Sequence, residues 1–202
     1  MSAPIGPTVA VIGNAKPVAT GGILVAPLGT VPPTDTETAV TGFVGLGYVS
    51  EDGLKPEGER NIETVRDWAG DIIAQLQTEH SSRFTFALYG VFDVEVLKVV
   101  FGEGNVSGTA PSISVVEDGE ELPHLSWVFD IRSSNGKKVR IVIPDGQVTT
   151  VTEAPLVAGA LQSFELTVEA FKDPTGNKVY RYYEGETVTP PTALANPQSP
   201  QQ

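Results

Sequence analysis

The chain has 202 residues, 40% of them apolar, with 21 glycines, 16 prolines, no cysteine and a formal net charge of −12. That length suits one large or two small domains, and the glycine and proline content points to a turn-rich β protein. The same balance excludes disulfide frameworks, thiolate chemistry and a basic nucleic-acid footprint. No run reaches the ~20 apolar residues of a membrane span, and neither a span nor a secretory signal is expected.

Residues 1–20 read as an N-terminal arm, with Pro4, Pro7 and Gly13 among scattered valines. Ile23 to Ala26 is a short strand candidate. Leu28 to Thr41 is a Pro/Thr-rich connector in which Pro32-Pro33 excludes regular structure. Phe43 to Ser50 reads as the next strand. Its flanking glycines Gly42, Gly45 and Gly47 run in the order GxxGxG with no helix behind them, so no phosphate-binding loop is expected. Residues 51–67 are polar and read as a long loop, a length that usually marks function or disorder. Its far end, Ile62 to Trp68, recovers apolar character and is expected to pair as a strand.

Asp71 to Thr78 and Ser82 to Tyr89 follow as two strands, the second with Phe84, Phe86 and Leu88 alternating against Arg83, Thr85 and Ala87. The period then changes. Over 93–101, Glu95 and Lys98 fall opposite Val94, Leu97 and Phe101 on a helical wheel. Asp93 is placed to cap the first turn and Gly102 to stop the helix in a left-handed conformation. Four valines oppose a helix on propensity, but the caps and the wheel agree.

Ile113 to Val116 is a short strand before the acidic turn Glu117-Asp118-Gly119-Glu120-Glu121. Leu125 to Arg132 puts Leu125, Trp127, Phe129 and Ile131 on one face. Asn135-Gly136 is the strongest hairpin signal. Lys137 to Ile143 returns, Gln147 to Thr152 extends the sheet, and Phe164 to Phe171 is the longest clean alternation. Asp173 to Asn177 turns the chain into Val179 to Tyr183. Residues 187–202 form a Pro-rich tail without a core pattern. The fold expected is mainly β, a β-sandwich or partly closed barrel over 21–186 with one short flanking α-helix.

Catalytic constellations are missing from the pattern. His80 and His124 have no ligand-like spacing, no GxSxG occurs, and the acidic turn reads as a solvated loop more readily than as a cation site. Asn105-Val106-Ser107 matches a glycosylation sequon by chance. Tyr180, Tyr182 and Tyr183 beside Arg181 suit either an interface or packing at a strand end. No enzyme, cofactor or metal is expected.

The order of elements carries more information. Gly47-Tyr48-Val49-Ser50-Glu51-Asp52-Gly53-Leu54, then Trp68-Ala69-Gly70-Asp71, the strand and helix ending at Phe101-Gly102, and Phe164 to Phe171 together resemble the major tail, or tail tube, proteins of long non-contractile-tailed phages (siphophages), particularly those infecting actinobacteria. The resemblance spans about Gly21 to Glu184. It implies a structural virion protein, assembled in the host cytoplasm into the tail, whose homohexameric rings stack into the conduit for DNA ejection. The implied partners are further copies of the chain, a tape measure protein, a tail terminator and distal tail proteins, with DNA passing without sticking.

Under that resemblance the long loop is an inter-ring contact, with Glu51, Asp52, Lys55, Glu57, Glu59 and Arg60 as its candidate residues. The polar faces available to line the channel carry Asp71, Gln75 and Gln77 on one strand, Asp130 on another, and Glu165 and Glu169 on the longest. Acids and amides predominate there, as a passage for phosphate requires. The competing class is a monomeric immunoglobulin-like or carbohydrate-binding β-sandwich on a virion or cell surface.

Overall fold

Phe84, Phe86 and Leu88 are buried while Arg83, Thr85 and Ala87 are half-exposed, so the strand that carries them has one face in the core and one face open. The computed structural model describes residues 15–17, 22–133 and 137–185. Eleven strands occur among them: β1 Ala15–Pro17, β2 Ile23–Pro27, β3 Val44–Gly45, β4 Lys55–Arg66, β5 Ile72–Leu88, β6 Val106–Thr109, β7 Ser112–Val115, β8 His124–Ser133, β9 Lys138–Glu153, β10 Phe164–Ala170 and β11 Tyr180–Glu184, with helix α1 at Val94–Phe101. The main sheet is ordered β3-β2-β8-β9-β10-β5-β4, all antiparallel, with β1 added on β8 and β11 on the first half of β9. β6 and β7 form a separate hairpin.

The sheet rolls rather than lying flat. Phe84 on β5 stacks on Phe129 of β8 with ring centroids 5.7 Å apart, although β9 and β10 lie between those strands in the sheet. Phe86 meets Trp127 and Phe129 edge-on at 6.0 and 5.7 Å. Each such pair adds about 0.5–1.5 kcal/mol beyond area burial. The segment between the two ends of the sheet helps hold the roll: the Leu46 N–H donates to the Ile23 carbonyl, Ser50 donates to Ala87, and Val49 bridges Leu88. The sheet is not closed into a barrel. Instead α1 fills the open side with Val96, Leu97, Val99 and Val100, and Phe101 meets Phe164 edge-on at 5.8 Å.

Both helix caps form. The Asp93 carboxylate accepts from the Glu95 N–H at 2.9 Å, and the Gly102 N–H donates to Lys98. Gly102 has φ 92° and ψ 143°, an extended conformation of positive φ rather than the left-handed helical one expected. The Asn105 amide of the sequon donates to the Phe101 carbonyl at 2.9 Å and so closes the same helix end. The buried stripe is centred on Val96, Leu97 and Val100, rotated from the Val94–Leu97–Phe101 face that the wheel favours, because β-strand residues and the β6–β7 hairpin enclose the helix from two sides.

Several boundaries differ from the sequence reading. Most of residues 51–67 is not a loop: the strand expected only from Ile62 onward begins at Lys55 and runs to Arg66, twelve residues paired along β5, with 51–54 forming the turn before it. Its polarity reflects exposure on both faces, which removes the need for alternation but not the capacity to pair. The two strands expected at 71–78 and 82–89 are one, β5, and those at 137–143 and 147–152 are one, β9. The strand expected over 43–50 shrinks to Val44–Gly45 and the single bridge at Val49. On β8 both faces are buried, because Ser126 and Val128 are covered as fully as Trp127 and Phe129. Within the arm, Ala15–Pro17 pairs with Ile131–Ser133. The Asn135-Gly136 turn and the tail 187–202 lie outside the described residues, although the β8–β9 register brings Arg132 opposite Lys138 as a hairpin demands.

Leu97→Ala is expected to lower unfolding free energy by about 2–5 kcal/mol, because its side chain is buried among sheet residues. Lys98→Ala removes only a half-exposed 2.8 Å ion pair to Glu95 and should cost less than about 0.5 kcal/mol. Equal shifts for the two variants would contradict this packing.

Candidate assembly surfaces

Three surfaces are left once the core is filled. The first is the open face of β9, β10, β5 and β4. Cross-strand pairing sets Glu169 opposite Arg83, Thr167 opposite Thr85, Glu165 opposite Ala87 and Thr152, and Glu57 opposite Arg83 from the other side. Paired residues share a face, so Glu57, Arg83 and Glu169 form one acid–base–acid row. The Arg83 Nε lies 3.2 Å from Glu169 Oε2, and the Thr85 and Thr167 hydroxyls are 3.0 Å apart. Lys55 joins the face opposite Thr85 and lies 3.8 Å from Asp52. Acids and threonines dominate, and both bases named here sit beside acids of their own chain.

The second surface is the other part of that same sheet side, over β2, β8 and β9, and it is not open. The connector after β2 lies across it. Arg140 anchors the connector: its Nη1 donates to the carbonyls of Asp35 and Thr38 at 2.8 and 2.7 Å. The same guanidinium takes Asp130 in both its oxygens, at 2.5 and 2.9 Å. That fork fits a carboxylate in two points and holds Arg140 more firmly protonated than usual, chiefly through Asp130. Lys138 pairs with Glu37 and, at 3.5 Å, with Glu184, while the Thr36 hydroxyl donates to Glu184 at 2.7 Å. Beside this clamp the connector and β11 enclose an apolar groove of about 760 Å³.

The third surface is the outer part of the β4–β5 ribbon. β10 pairs with β5 only from Arg83 to Leu88, so β5 from Ile72 to Ser82 has β4 as its sheet neighbour and projects away from the body. From the sheet edge at His80 the ribbon reaches on the order of 25 Å. Ile62, Trp68, Ile72, Ile73 and Leu76 are exposed on it. Charges at Glu57, Glu59, Arg60 and Glu63 and a proline at Pro56 mark β4 as an edge strand, features that block indiscriminate edge pairing.

The residues expected to line one channel face do not share a face. Glu165 and Glu169 lie together on the open side. Asp71 sits in the ribbon tip before β5 begins, where its N–H donates to Asp67 Oδ1 at 2.9 Å. Gln75 and Gln77 pair with Thr64 and Ile62, and the one-residue register shift between Asn61 and Ile62 puts them on the opposite side of the ribbon. Asp130 is half-buried under the connector by Arg140. Of the loop candidates, Glu51 and Asp52 form the turn before β4, and Lys55, Glu57, Glu59 and Arg60 lie on β4 itself. A single bulge was enough to defeat reading faces by parity.

The remaining motifs resolve structurally. Gly42 and Gly47 have positive φ, buried Leu46 between them packs in the core, and a turn rather than a helix follows. His124 Nδ1 lies 2.5 Å from Asp145 Oδ1, a pair 21 residues apart that spacing rules do not find. Ser126, two residues on, does not extend the pair, because its hydroxyl donates to the Pro144 carbonyl at 2.7 Å. Among the described residues no three acidic, histidine or cysteine side chains are grouped to hold a metal, the acidic turn 117–121 included.

Among the described residues these features make a β subunit with exposed polar and apolar surfaces outside its core. Residues 14–195 match the family model described as phage tail tube protein, and the chain belongs to that family. It is a non-enzymatic structural subunit of a phage tail tube, a component of the virion tail. No curated protein matches the sequence. Among solved structures the chain is similar to a chain of the sheath–tube complex of an extracellular contractile injection system (PVC) in its extended state, at 13% identity and TM-score 0.43, covering 86% of this chain and 94% of that one. It is also similar to a chain of the anti-feeding prophage cap, the AFP tube terminating cap, at 11% identity and TM-score 0.41, covering 86% and 95%. Family membership decides against the monomeric binding module.

One anchor of the groove is pH-dependent. Asp173 accepts from Tyr180 Oη at 2.7 Å, Thr175 Oγ1 at 2.7 Å, and the Asn177 and Thr175 amides at 3.0 and 2.9 Å. Those donors, Tyr180 foremost, hold its carboxyl down at about 2 against an ordinary 3.8. A depressed folded pKa contributes stability in full above the ordinary value and loses it as pH falls through the folded one. The Thr175 and Asn177 amide resonances should therefore titrate with a midpoint near 2, and Asp173→Ala should abolish that titration. A midpoint near the ordinary value would show that the network does not hold the carboxylate.

Proposed function

We propose that six copies close into a ring, that rings stack into the tube of a long non-contractile tail, and that the face carrying Glu165 and Glu169 lines the channel through which DNA leaves. The observation that carries this reading is the asymmetry of the sheet: one side is buried under α1, and the other side of β9, β10 and β5 is an open wall of acids and threonines. Such a wall repels phosphate and offers no unneutralised cation to hold it. The ribbon supports stacking, because it exposes apolar side chains beyond the reach of its own core. Residues 51–67, with Lys55, Glu57, Glu59 and Arg60 on β4, form the contact between rings in this proposal. Residues 1–20 and 187–202 are assigned as arms flanking the 21–186 domain. The tape measure, terminator and distal tail proteins would meet the inside and the two ends of the tube, and assembly would take place in the host cytoplasm.

Replacing Asn61–Glu79 by an Asn-Gly turn between Arg60 and His80 shortens the ribbon at a matched register position. The shortened chain should keep its β circular dichroism and its melting midpoint but form no long tubes. Tubes of normal length would remove the ribbon from the stacking contact.

Glu165→Lys tests the channel face, since that side chain is exposed and its removal leaves the Arg83–Glu169 pair intact. Six lysines per ring would bind passing phosphates, with an affinity that rises as salt falls. Virions carrying the variant should eject DNA more slowly than the parent at low salt and recover at high salt. Parental ejection at both salt concentrations would place Glu165 outside the channel.

A further inference from the structure

The two ends of β5 are put to different uses. Its Leu88 end lies opposite Phe164, and there residues 154–163 join β9 to β10. Its Ile72 end lies in the ribbon, beyond Arg83, the last residue that β10 pairs. One strand runs from the first end to the second. The 154–163 loop and the ribbon therefore leave the sheet in opposite directions along the strand axis.

The loop is apolar and exposed. It reads Ala-Pro-Leu-Val-Ala-Gly-Ala-Leu-Gln-Ser and holds no charged residue, in a chain whose net charge is −12. Leu156, Val157 and Leu161 all stand out in water. The backbone beneath them is closed: the Ala154 N–H donates to the Ser163 carbonyl at 2.9 Å and the Ala160 N–H to the Val157 carbonyl at 3.4 Å. Gly159 supplies the positive φ of 87° at that turn. Three large apolar side chains held outward on a closed loop mark a contact surface whose ordering cost is met before binding.

The ribbon offers the matching chemistry at the other end. Trp68, Ile72, Ile73 and Leu76 are each more than half exposed on it. Of its charges, the Arg66 guanidinium already donates to the Gly70 carbonyl at 2.8 Å, and the Asp67 carboxylate accepts from the Asp71 N–H at 2.9 Å. On the loop side no ion has to be desolvated, because none is present.

The kind of assembly decides the occupant. A tube subunit has copies of itself as neighbours, and copies repeated along an axis meet through two different surfaces, one end of each against the other end of the next. A ten-residue loop falls short of the roughly 20–30 residues a side of a stable isolated pair, so the contact suits a repeat in which it is made many times. We propose that the β9–β10 loop, through Leu156, Val157 and Leu161, is the seat for the outer ribbon of the next copy along the tube. This inference rests on the tube reading and names the surface that receives the ribbon.

The native chain has no cysteine, so thiols can be introduced without background. Two double variants, Val157→Cys with Ala69→Cys and Val157→Cys with Thr64→Cys, place one thiol on the loop and one at the tip or middle of the ribbon. The paired sites lie at opposite ends of β5, out of reach of each other within one chain. Assembled tubes treated with a short bismaleimide should give a ladder of covalent dimers, trimers and longer chains from at least one double variant, because each copy is linked at both ends. Each single-cysteine variant can give dimers at most. Tubes of both double variants that show no more than those dimers overturn the loop contact and leave the tube reading standing. Leu156→Asp with Leu161→Asp, both exposed, should keep the parental melting midpoint and lose long tubes; parental tube lengths overturn the contact equally. A wild-type chain that forms no rings or tubes overturns the tube reading and this inference together.

Discussion

Gly146 is the point on which the roll of the sheet depends. The Trp127 indole lies against it and donates its Nε1–H to the Gly146 carbonyl at 3.1 Å. A Cβ at that position would stand 2.9 Å from Trp127 Cδ1, 3.0 Å from Val168 and 3.1 Å from Ile143. Only a residue without a side chain lets β9 pass so close beneath the indole. With that approach made, Trp127 and Phe129 on β8 reach across to Phe84 and Phe86 on β5, and a single antiparallel sheet encloses a core with itself. One hydrogen bond also satisfies a ring N–H that burial would otherwise leave unpaired.

The roll determines what the outside is for. Turning one face of every central strand inward leaves the opposite face as the only large surface, and the chain divides it in two. Over β8 and the first half of β9, Arg140 draws the connector down, and Val128, Val142 and Ser126 become buried beneath it. Over β10 and the inner part of β5 nothing in the described chain covers the strands, and their side chains are acids, threonines and one ion-paired arginine. The ribbon completes the division by carrying Ile62, Trp68, Ile72, Ile73 and Leu76 outward, exposed beyond the core.

Elements with one buried face were legible from sequence, since burial imposes a period. Phe164, Leu166, Val168 and Ala170 on β10 are buried as their alternation requires. The cap signals at Asp93 and Gly102 located α1 despite its valines. The ribbon was only half legible, its strands read over 62–68 and 71–78 but the first half of β4 taken for a loop, because a strand wet on both faces has no hydrophobic period to show. Strand lengths were underestimated where bulges or prolines broke the alternation without breaking the ladder, as at Pro144 in β9 and between Glu79 and Gln77 in β5. That second irregularity separated Gln75 and Gln77 from Glu165 and Glu169, and the Arg140 fork took Asp130 out of the open face. Neither effect is local, so no window of sequence contained it.

The central claim is that the open Glu165–Glu169 wall becomes the inside of a tube made by this chain alone. Electron cryomicroscopy of the purified wild-type chain at high protein concentration tests it most directly. The account predicts hollow tubes of stacked six-fold rings, with α1 on the outer side of the wall and the Glu165 and Glu169 side chains at the lumen. Rings whose lumen is lined by the connector and β8, or particles that remain single subunits at every concentration, would contradict it.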